Sequence, residues 1–438
     1  MKKRLLLLVA TVATIFSGNA QAVRPNVIVM IADDLGYGDV SCLSHGSVQT
    51  PQIDRLAKMG VTFSSGYVTA PLCAPSRAGF FTGLYQQRFG FLNNEGSIPT
   101  DLPLLPGVLR GAGYRTGLLG KWHSGGPLPH ERDCFDETLC SARPNPFLEY
   151  FDPKLSRNGR VEARQGYITD ILAQEAVDFI ERNKSSSFQL TVSFNAPHIA
   201  NVVKPFHAIR KEYDAAVADG RTFDVPKTPT ARPGEAQRYA AQFPGDTARA
   251  DTVATIAALD EAVGRILDAL EKNDLAKDTV IFFFGDNGAH PENRSENGAL
   301  RDYKWSHFEG GIRVPFFAAY PGVLPAGLKY SEPVSTLDIF PTVAELTGVT
   351  PPNKLDGVNL TPYLKGERKE PPHEVLYFHT TNHGAIRKGR WKLVFAPNGA
   401  SELFDLTEDQ GETRNLAGTQ PVLSEELAEQ WRAWKAGK

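Results

Sequence analysis

Net charge is nearly absent from this sequence. Its 47 Lys and Arg are set against 50 Asp and Glu, a formal net charge of −3 at pH 7. That balance carries no footprint for nucleic acid or for an anionic membrane surface, so any anion the protein handles must be met by local charge. Long apolar runs are also missing beyond the N-terminus, and no stable membrane anchor is expected. Cysteine is limited to Cys42, Cys73, Cys134 and Cys140. None directly follows Ala22, which leaves a lipid anchor there unsupported. Internal repeats are absent.

What the chain does contain is ordinary for a globular protein: 41% hydrophobic and 22% charged residues, in a length that suits one large domain plus a small one. The first residues read as an export signal. MKKR supplies a positive start, LLLLVATVATIF an apolar core, and Ala20-Gln21-Ala22 a small-residue cleavage site. The expectation is a signal peptide over 1–22 and a mature chain from about Val23, periplasmic or secreted. Export makes disulfides available. Cys134 and Cys140 flank FDETL and could pair locally; a Cys42–Cys73 bridge also stays open, since spacing alone excludes neither.

Four apolar, β-branched or aromatic runs end in polar residues. NVIVMIAD (Asn26–Asp33) leads into Asp34, YRTGLLG (Tyr114–Gly120) into Lys121 and His123, FQLTVSFNAP (Phe188–Pro197) into His198, and TVIFFFGD (Thr279–Asp286) into Asn287. Runs this apolar suit strands covered on both faces. Helical patterns lie between them: TPQIDRLAKMG with Thr50 as N-cap and Gly60 as stop, Gly166–Asn183, and Asp251–Asn273. The alternation predicts an α/β fold, a large and mostly parallel sheet sandwiched by helices, and ligands of such sheets bind beyond the carboxyl ends of the strands. Lys204–Ala250 reads as a polar insertion over that end. After a linker near 365–372, VLYFHT, GAIRKGRWKLVF and SELFDL read as short strands, followed by a helix over Leu423–Lys435: a small C-terminal α+β unit.

The strand ends carry the candidate chemistry. Asp33, Asp34, Asp286 and Asn287 form an oxygen-only ligand set, which favours Ca²⁺, or less readily Mg²⁺, over zinc; taken singly, each pair is more simply an Asx turn. Lys121, His123, His198 and Lys304 would together suit a tetrahedral anion. Cys73 precedes Ser76, a candidate cap, so it would lie just before a helix N-terminus that favours negative charge, with Arg77 adding to the field. A reactive thiol, a buried thiol and a disulfide partner are all open on these grounds.

Cys73-Ala74-Pro75-Ser76-Arg77 followed by Thr82-Gly83 resembles the signature of type I sulfatases, C-x-P-S-R-x(4)-T-G, in the alkaline phosphatase-like superfamily. The resemblance continues in order through NVIVMIADDLGYGDV, GYRTGLLGKWH, NAPH, FFFGDNG, FEGGIRVP, STLDIFPTVAELTG and LFDLTEDQGETRNLA. It implies a catalytic domain over 23–365 and a C-terminal subdomain over 366–438. It implies that Cys73 is oxidised to Cα-formylglycine by a separate maturation enzyme. Asp33, Asp34, Asp286, Asn287 and residue 73 would hold the cation, usually calcium. Arg77 would steady the hydrated aldehyde, Lys121 and His123 would flank it, and Lys121, His198 and Lys304 would bind the sulfate. Asp286 is the candidate base and His123 the group that takes the second proton. Two departures bear on substrate shape: Ala200 stands where the family often has proline, and LRDYKWSH lacks the small glycines often found around this lysine.

The implied activity is hydrolysis of sulfate esters, most simply those of a sulfated carbohydrate. His379, His383 and Arg387 are candidates for substrate contacts, with turn residues as the plainer reading. Two alternatives are a phosphodiesterase or phosphonate hydrolase on the same fold, and a non-catalytic protein that binds sulfated glycans.

Overall fold

The computed structural model describes residues 24–44, 46, 48–142, 149–200, 211–212, 215–216, 219, 228–381, 383–395 and 400–437. The expected signal peptide with its cleavage site, and most of the Lys204–Ala250 insertion as far as Lys227, lie outside the described residues.

Ten strands form one mixed sheet. At its centre Asn26–Asp33 runs parallel to Phe188–Pro197 on one side and to Thr279–Gly285 on the other. Arg115–Gly120 extends the parallel block beside Phe188–Pro197. Antiparallel pairings begin only further out, at Phe316–Ala319 on one flank and Lys154–Arg157 on the other. The continuous apolar runs are explained by this placement. Ile28, Met30 and Ala32 face one helical layer, which includes Ile168–Asn183 and Thr247–Lys272, while Val27, Val29 and Ile31 face the other, which includes Cys73–Thr82 and Ile339–Thr347. A strand buried on both faces cannot alternate polar and apolar residues.

The Pro51–Met59 helix starts after Thr50 as the sequence predicts, though its capping oxygen comes from elsewhere, and the long helix starts earlier than predicted. Thr50 stands at the N-cap of Pro51–Met59, but its hydroxyl engages Ser41, and the Asp260 carboxylate instead accepts from Gln52 N and Ile53 N. The long helix starts at Thr247 rather than Asp251, because Asp246 caps it through Arg249 N at 2.8 Å. The cysteines also stay apart: all four are free. Cys140 is held in a strand opposite Gly120, whereas Cys134 packs under the Leu105–Gly111 helix against Gly107.

The C-terminal strands Val375–His379, Gly384–Lys388, Trp391–Phe395 and Ser401–Asp405 form a separate antiparallel sheet. Leu427, Ala428 and Trp431 of the Pro421–Lys435 helix cover one face, and the other packs on Tyr67, Ile312 and Val314 of the large unit. A buried ionic clamp reinforces that contact: Lys392 Nζ lies 2.8 Å from Glu309 and 2.9 Å from Glu412, with all three side chains sealed from solvent.

A second link, between His373 and Asp338 at 2.8 Å, gives a pH-dependent prediction. Burial alone would lower the His373 pKa, but the Asp338 carboxylate reverses this and raises it above the ordinary value. Stability from this pair is therefore full below about pH 6.5 and is lost as pH rises through the folded-state pKa. His373→Gln is expected to cost about 1–3 kcal/mol at pH 5.5 and less at pH 8.5, read from urea unfolding at both pH values. An equal cost at both would show that the pair does not titrate.

Candidate active site

The site is built where the central strands end. Asp33 closes the first strand, and a register break between Ile31 and Asp33 against the neighbouring strand turns the chain there. Asp34 follows in the left-handed region, φ 64°. At the end of Arg115–Gly120, on the far side of Phe188–Pro197, Gly120 has φ +94°, and a Cβ there would meet Ser193 O at 2.0 Å. Only glycine permits this close turn, which delivers Lys121 into the cluster with its N–H donating to Ser193 O at 2.9 Å. Asp286 and Asn287 follow the Thr279–Gly285 strand, with Asp286 N donating to Ala32 O.

Cys73 is the first residue of the Cys73–Thr82 helix and is 1% exposed. Ser76 does not cap this helix. It lies within the first turn, its N–H donating to Leu72 O, because Leu72 is extended and caps the helix, which starts four residues earlier than a Ser76 cap would give. Cys73 Sγ lies 3.4 Å from Asp33 Oδ1 and 3.9 Å from Asp34 Oδ1. Lys304 Nζ approaches the sulfur to 3.0 Å and Asp34 Oδ1 to 2.6 Å. Its loop is pinned nearby, since Trp305 N donates to Pro71 O at 2.8 Å.

The remaining candidates surround this core. Arg77 is fully buried; its Nε and a terminal nitrogen both reach Asp286 Oδ2 at 2.8 Å, and it also donates to Lys121 O and Ser193 Oγ. Lys121 Nζ bonds Asp33 Oδ2. Asn287 Nδ2 donates to Asp34 Oδ1 at 2.7 Å. His198 Nδ1 donates to Ile199 O, which leaves Nε2 facing Asp34 Oδ2 at 3.6 Å. His123 is partly buried in the left-handed region, with Nδ1 lacking a hydrogen-bond partner among the described residues. Three further candidates sit away from the carboxylates. Arg387 is bound to Tyr67 OH and Gly389 O, His379 donates to His383 O, and His383 lies beside His307.

Two neighbours carried no signal in the sequence. Ser193 supports Arg77 from a strand interior. His290, buried three residues beyond Asn287, packs its ring 4.6 Å from Trp305 and 6.2 Å from His198.

The electrostatics follow from burial and crowding. Burial opposes ionisation of Asp33, but Lys121, His198, Arg77 and Lys304 hold it well below the usual range. Burial and the charge on Asp33 instead push Asp286 up to about 6, despite Arg77. Burial lowers His198 to about 4, so it is neutral at pH 7. Burial and Asp286 drive the Cys73 thiol well above its ordinary value, so the residue as encoded is a poor nucleophile.

Asp33, Asp34, Cys73 and His198 each bring one ligand-type atom within 4.8 Å of the others. Asp34 Oδ2 and Asn287 Oδ1 are buried without a hydrogen-bond partner among the described residues. Two unsatisfied oxygens beside two further carboxylates fit a hard divalent cation.

The Sulfatase family model matches residues 25–349, and the model for the C-terminal part of N-sulphoglucosamine sulphohydrolase matches residues 299–434. Arylsulfatase A of Bos taurus is 32% identical over 454 aligned residues, covering 91% of this chain and 85% of its own. N-acetylglucosamine-6-O-sulfatase of Bacteroides thetaiotaomicron is 28% identical, covering 90% and 83%. The solved structure of Ps i-CgsB in complex with k-i-k-neocarrahexaose has a TM-score of 0.81 at 30% identity, covering 94% of this chain and 93% of that one. The chain belongs to the sulfatase family, with the alkaline phosphatase-like fold, and is a sulfuric ester hydrolase.

Proposed function

We propose that this sulfatase is exported and removes sulfate from carbohydrates, using Cα-formylglycine made from Cys73 and one bound Ca²⁺. One observation carries the reading: a free Cys73 thiol, raised far above neutrality, lies against two metal-type carboxylates at a helix N-terminus. That is an unsuitable setting for a thiolate nucleophile and a suitable one for a residue matured into an oxygen nucleophile. Oxidised by a maturation enzyme and hydrated, residue 73 would supply two hydroxyls on one carbon in place of the thiol. Asp33, Asp34, Asp286, Asn287 and residue 73 would hold Ca²⁺, which would supply acidification of a hydroxyl and charge stabilisation. Mg²⁺ fits the same oxygens less well because it demands a tighter octahedron.

The chain's own groups divide the rest of the work. Asp33, Asp34 and Asp286 against Arg77, Lys121 and Lys304 make three charges of each sign, so the protein alone is balanced. A bound dication then leaves the surplus that an anionic ester requires. Arg77 fixes Asp286, the candidate base. Lys121, His198 and Lys304 bind the sulfate oxygens. Lys304 keeps its proton, because the Asp34 and Asp33 carboxylates outweigh the effect of burial, and can assist the leaving oxygen with His198. His123, neutral through burial and the nearby Lys121 and Arg77, can take a proton at Nδ1.

Residues 23–365 are assigned to catalysis and 366–438 to a wall of the substrate cleft. The carbohydrate reading is supported by what the relatives' names state of themselves, an N-acetylglucosamine-6-O-sulfatase and a protein bound to neocarrahexaose. Export is supported by the N-terminal pattern. Among the described residues, no helix is long and apolar enough to cross a membrane.

The test is turnover of matched sulfate and phosphate esters of 4-nitrophenol and of sulfated saccharides, with mass spectrometry of the peptide containing residue 73. Sulfate release with aldehyde at residue 73 is expected; dominant phosphate turnover would overturn the reading. Chelation is expected to remove turnover and Ca²⁺ to restore it. Ca²⁺ at a hundredfold excess over Kd should add about 2.7 kcal/mol to unfolding stability. Full activity in metal-stripped protein would contradict the cation's role.

A further inference from the structure

His307 is 2% exposed, and neither of its ring nitrogens makes a hydrogen bond among the described residues. A buried imidazole that satisfies neither nitrogen is a costly arrangement that calls for a partner. Its place in the fold suggests which one. It lies three residues after Lys304, at most about 11 Å along the chain, in the loop that Trp305 N pins to Pro71 O just before Cys73.

Facing His307, with ring centroids 6.3 Å apart, is His383 from the turn between the first two strands of the C-terminal sheet. That turn is braced: His379 Nδ1 donates to His383 O at 3.2 Å, and Thr380 N donates to the same oxygen at 3.0 Å. It is also tied to the catalytic unit, since Gln86 Nε2 donates to both His379 O and Thr69 O. The two imidazoles therefore meet where the active-site loop abuts the C-terminal sheet. Among the described residues His307, His379 and His383 do not bring ligand atoms within metal-binding range of one another.

We propose that His307 and His383 form a subsite that hydrogen-bonds a free hydroxyl of the saccharide beside the sulfate ester. The inference rests on the carbohydrate reading above. A neutral imidazole offers one donor and one acceptor, which matches an alcohol, itself donor and acceptor. A second sulfate offers acceptors only and would leave the imidazole lone pair unmatched. Burial, with His383, Lys392 and His379 nearby, holds His307 neutral and so agrees with this preference.

The experiment compares kcat and KM for 4-nitrophenyl sulfate with those for a panel of N-acetylglucosamine-6-sulfate, N-acetylgalactosamine-6-sulfate and carrageenan oligosaccharides. His307→Ala is expected to lower kcat/KM on the best saccharide roughly 10- to 100-fold more than on the aryl ester, mainly through KM. His383→Ala, at a half-buried turn position, should shift the same ratio in the same direction. His307→Gln, which keeps a donor and an acceptor, should recover part of the loss. Equal losses on both ester types, or no loss, would overturn the subsite while leaving the sulfatase reading intact. Hydrolysis of the aryl ester with no saccharide turned over by the unaltered protein would overturn both the subsite and the carbohydrate reading.

Discussion

Cys73→Ala is expected to abolish turnover of every sulfate ester, a loss on the order of 10⁴-fold or more, with Tm unchanged to within about 3 °C. The asymmetry follows from where the side chain points. Sγ contacts Asp33, Asp34 and Lys304 rather than the apolar core, so deleting it opens no hydrophobic cavity. In the proposed role, everything the residue contributes lies in the reaction. Cys73→Ser sharpens the point. A serine hydroxyl can attack sulfur once, but it has no second hydroxyl on the same carbon with which to release sulfate. It should stall after a single turnover, with sulfate left on the residue and visible by intact-mass measurement. Sustained turnover by either variant would contradict the role given to this position.

Arg77→Ala is expected to be the most destabilising substitution in the site, by about 3–5 kcal/mol. Two guanidinium nitrogens reach Asp286 Oδ2 at 2.8 Å, and neither side chain is exposed. Removing Arg77 leaves that carboxylate beside Asp33 and Asp34 with no direct cation, in a site where burial already pushes Asp286 up to about 6. Lysine cannot restore the arrangement, because one ammonium does not reproduce a fork that also spans Lys121 O and Ser193 Oγ. Activity should fall on the order of 10²- to 10³-fold for Arg77→Lys as well. Adding Asp286→Asn to Arg77→Ala should recover part of the stability, since no uncompensated charge then remains. The check is urea unfolding of the two single variants and the double. A cost below about 1 kcal/mol for Arg77→Ala would show that the pair does not sustain the site.

The sheet was legible because its central strands are covered on both faces, and their burial writes unbroken apolar runs such as Asn26–Asp33 and Thr279–Gly285. Their polar ends were legible for the same reason: Asp34, Lys121, His198 and Asn287 each interrupt such a run at the end where ligands of parallel sheets gather. What stayed hidden depends on distant pairings. Thr50 and Ser76 have the right chemistry for caps, yet Asp260 supplies the donor-accepting oxygen in one helix and the extended backbone at Leu72 starts the other. Ser193 looks like any strand residue until Arg77 is brought to it across the sheet. His290 and His307 sit in loops whose local sequence has no period, and only the fold sets one beside His198 and the other beside His383.

The most direct test of the whole account is a crystallographic map of the matured, Ca²⁺-loaded protein at the ends of the central strands. The account predicts one ion coordinated by oxygens of Asp33, Asp34, Asp286 and Asn287, with an oxygen of an oxidised residue 73 completing the set. A residue 73 that remains a thiol turned away from those carboxylates, with no ion between them, would contradict it.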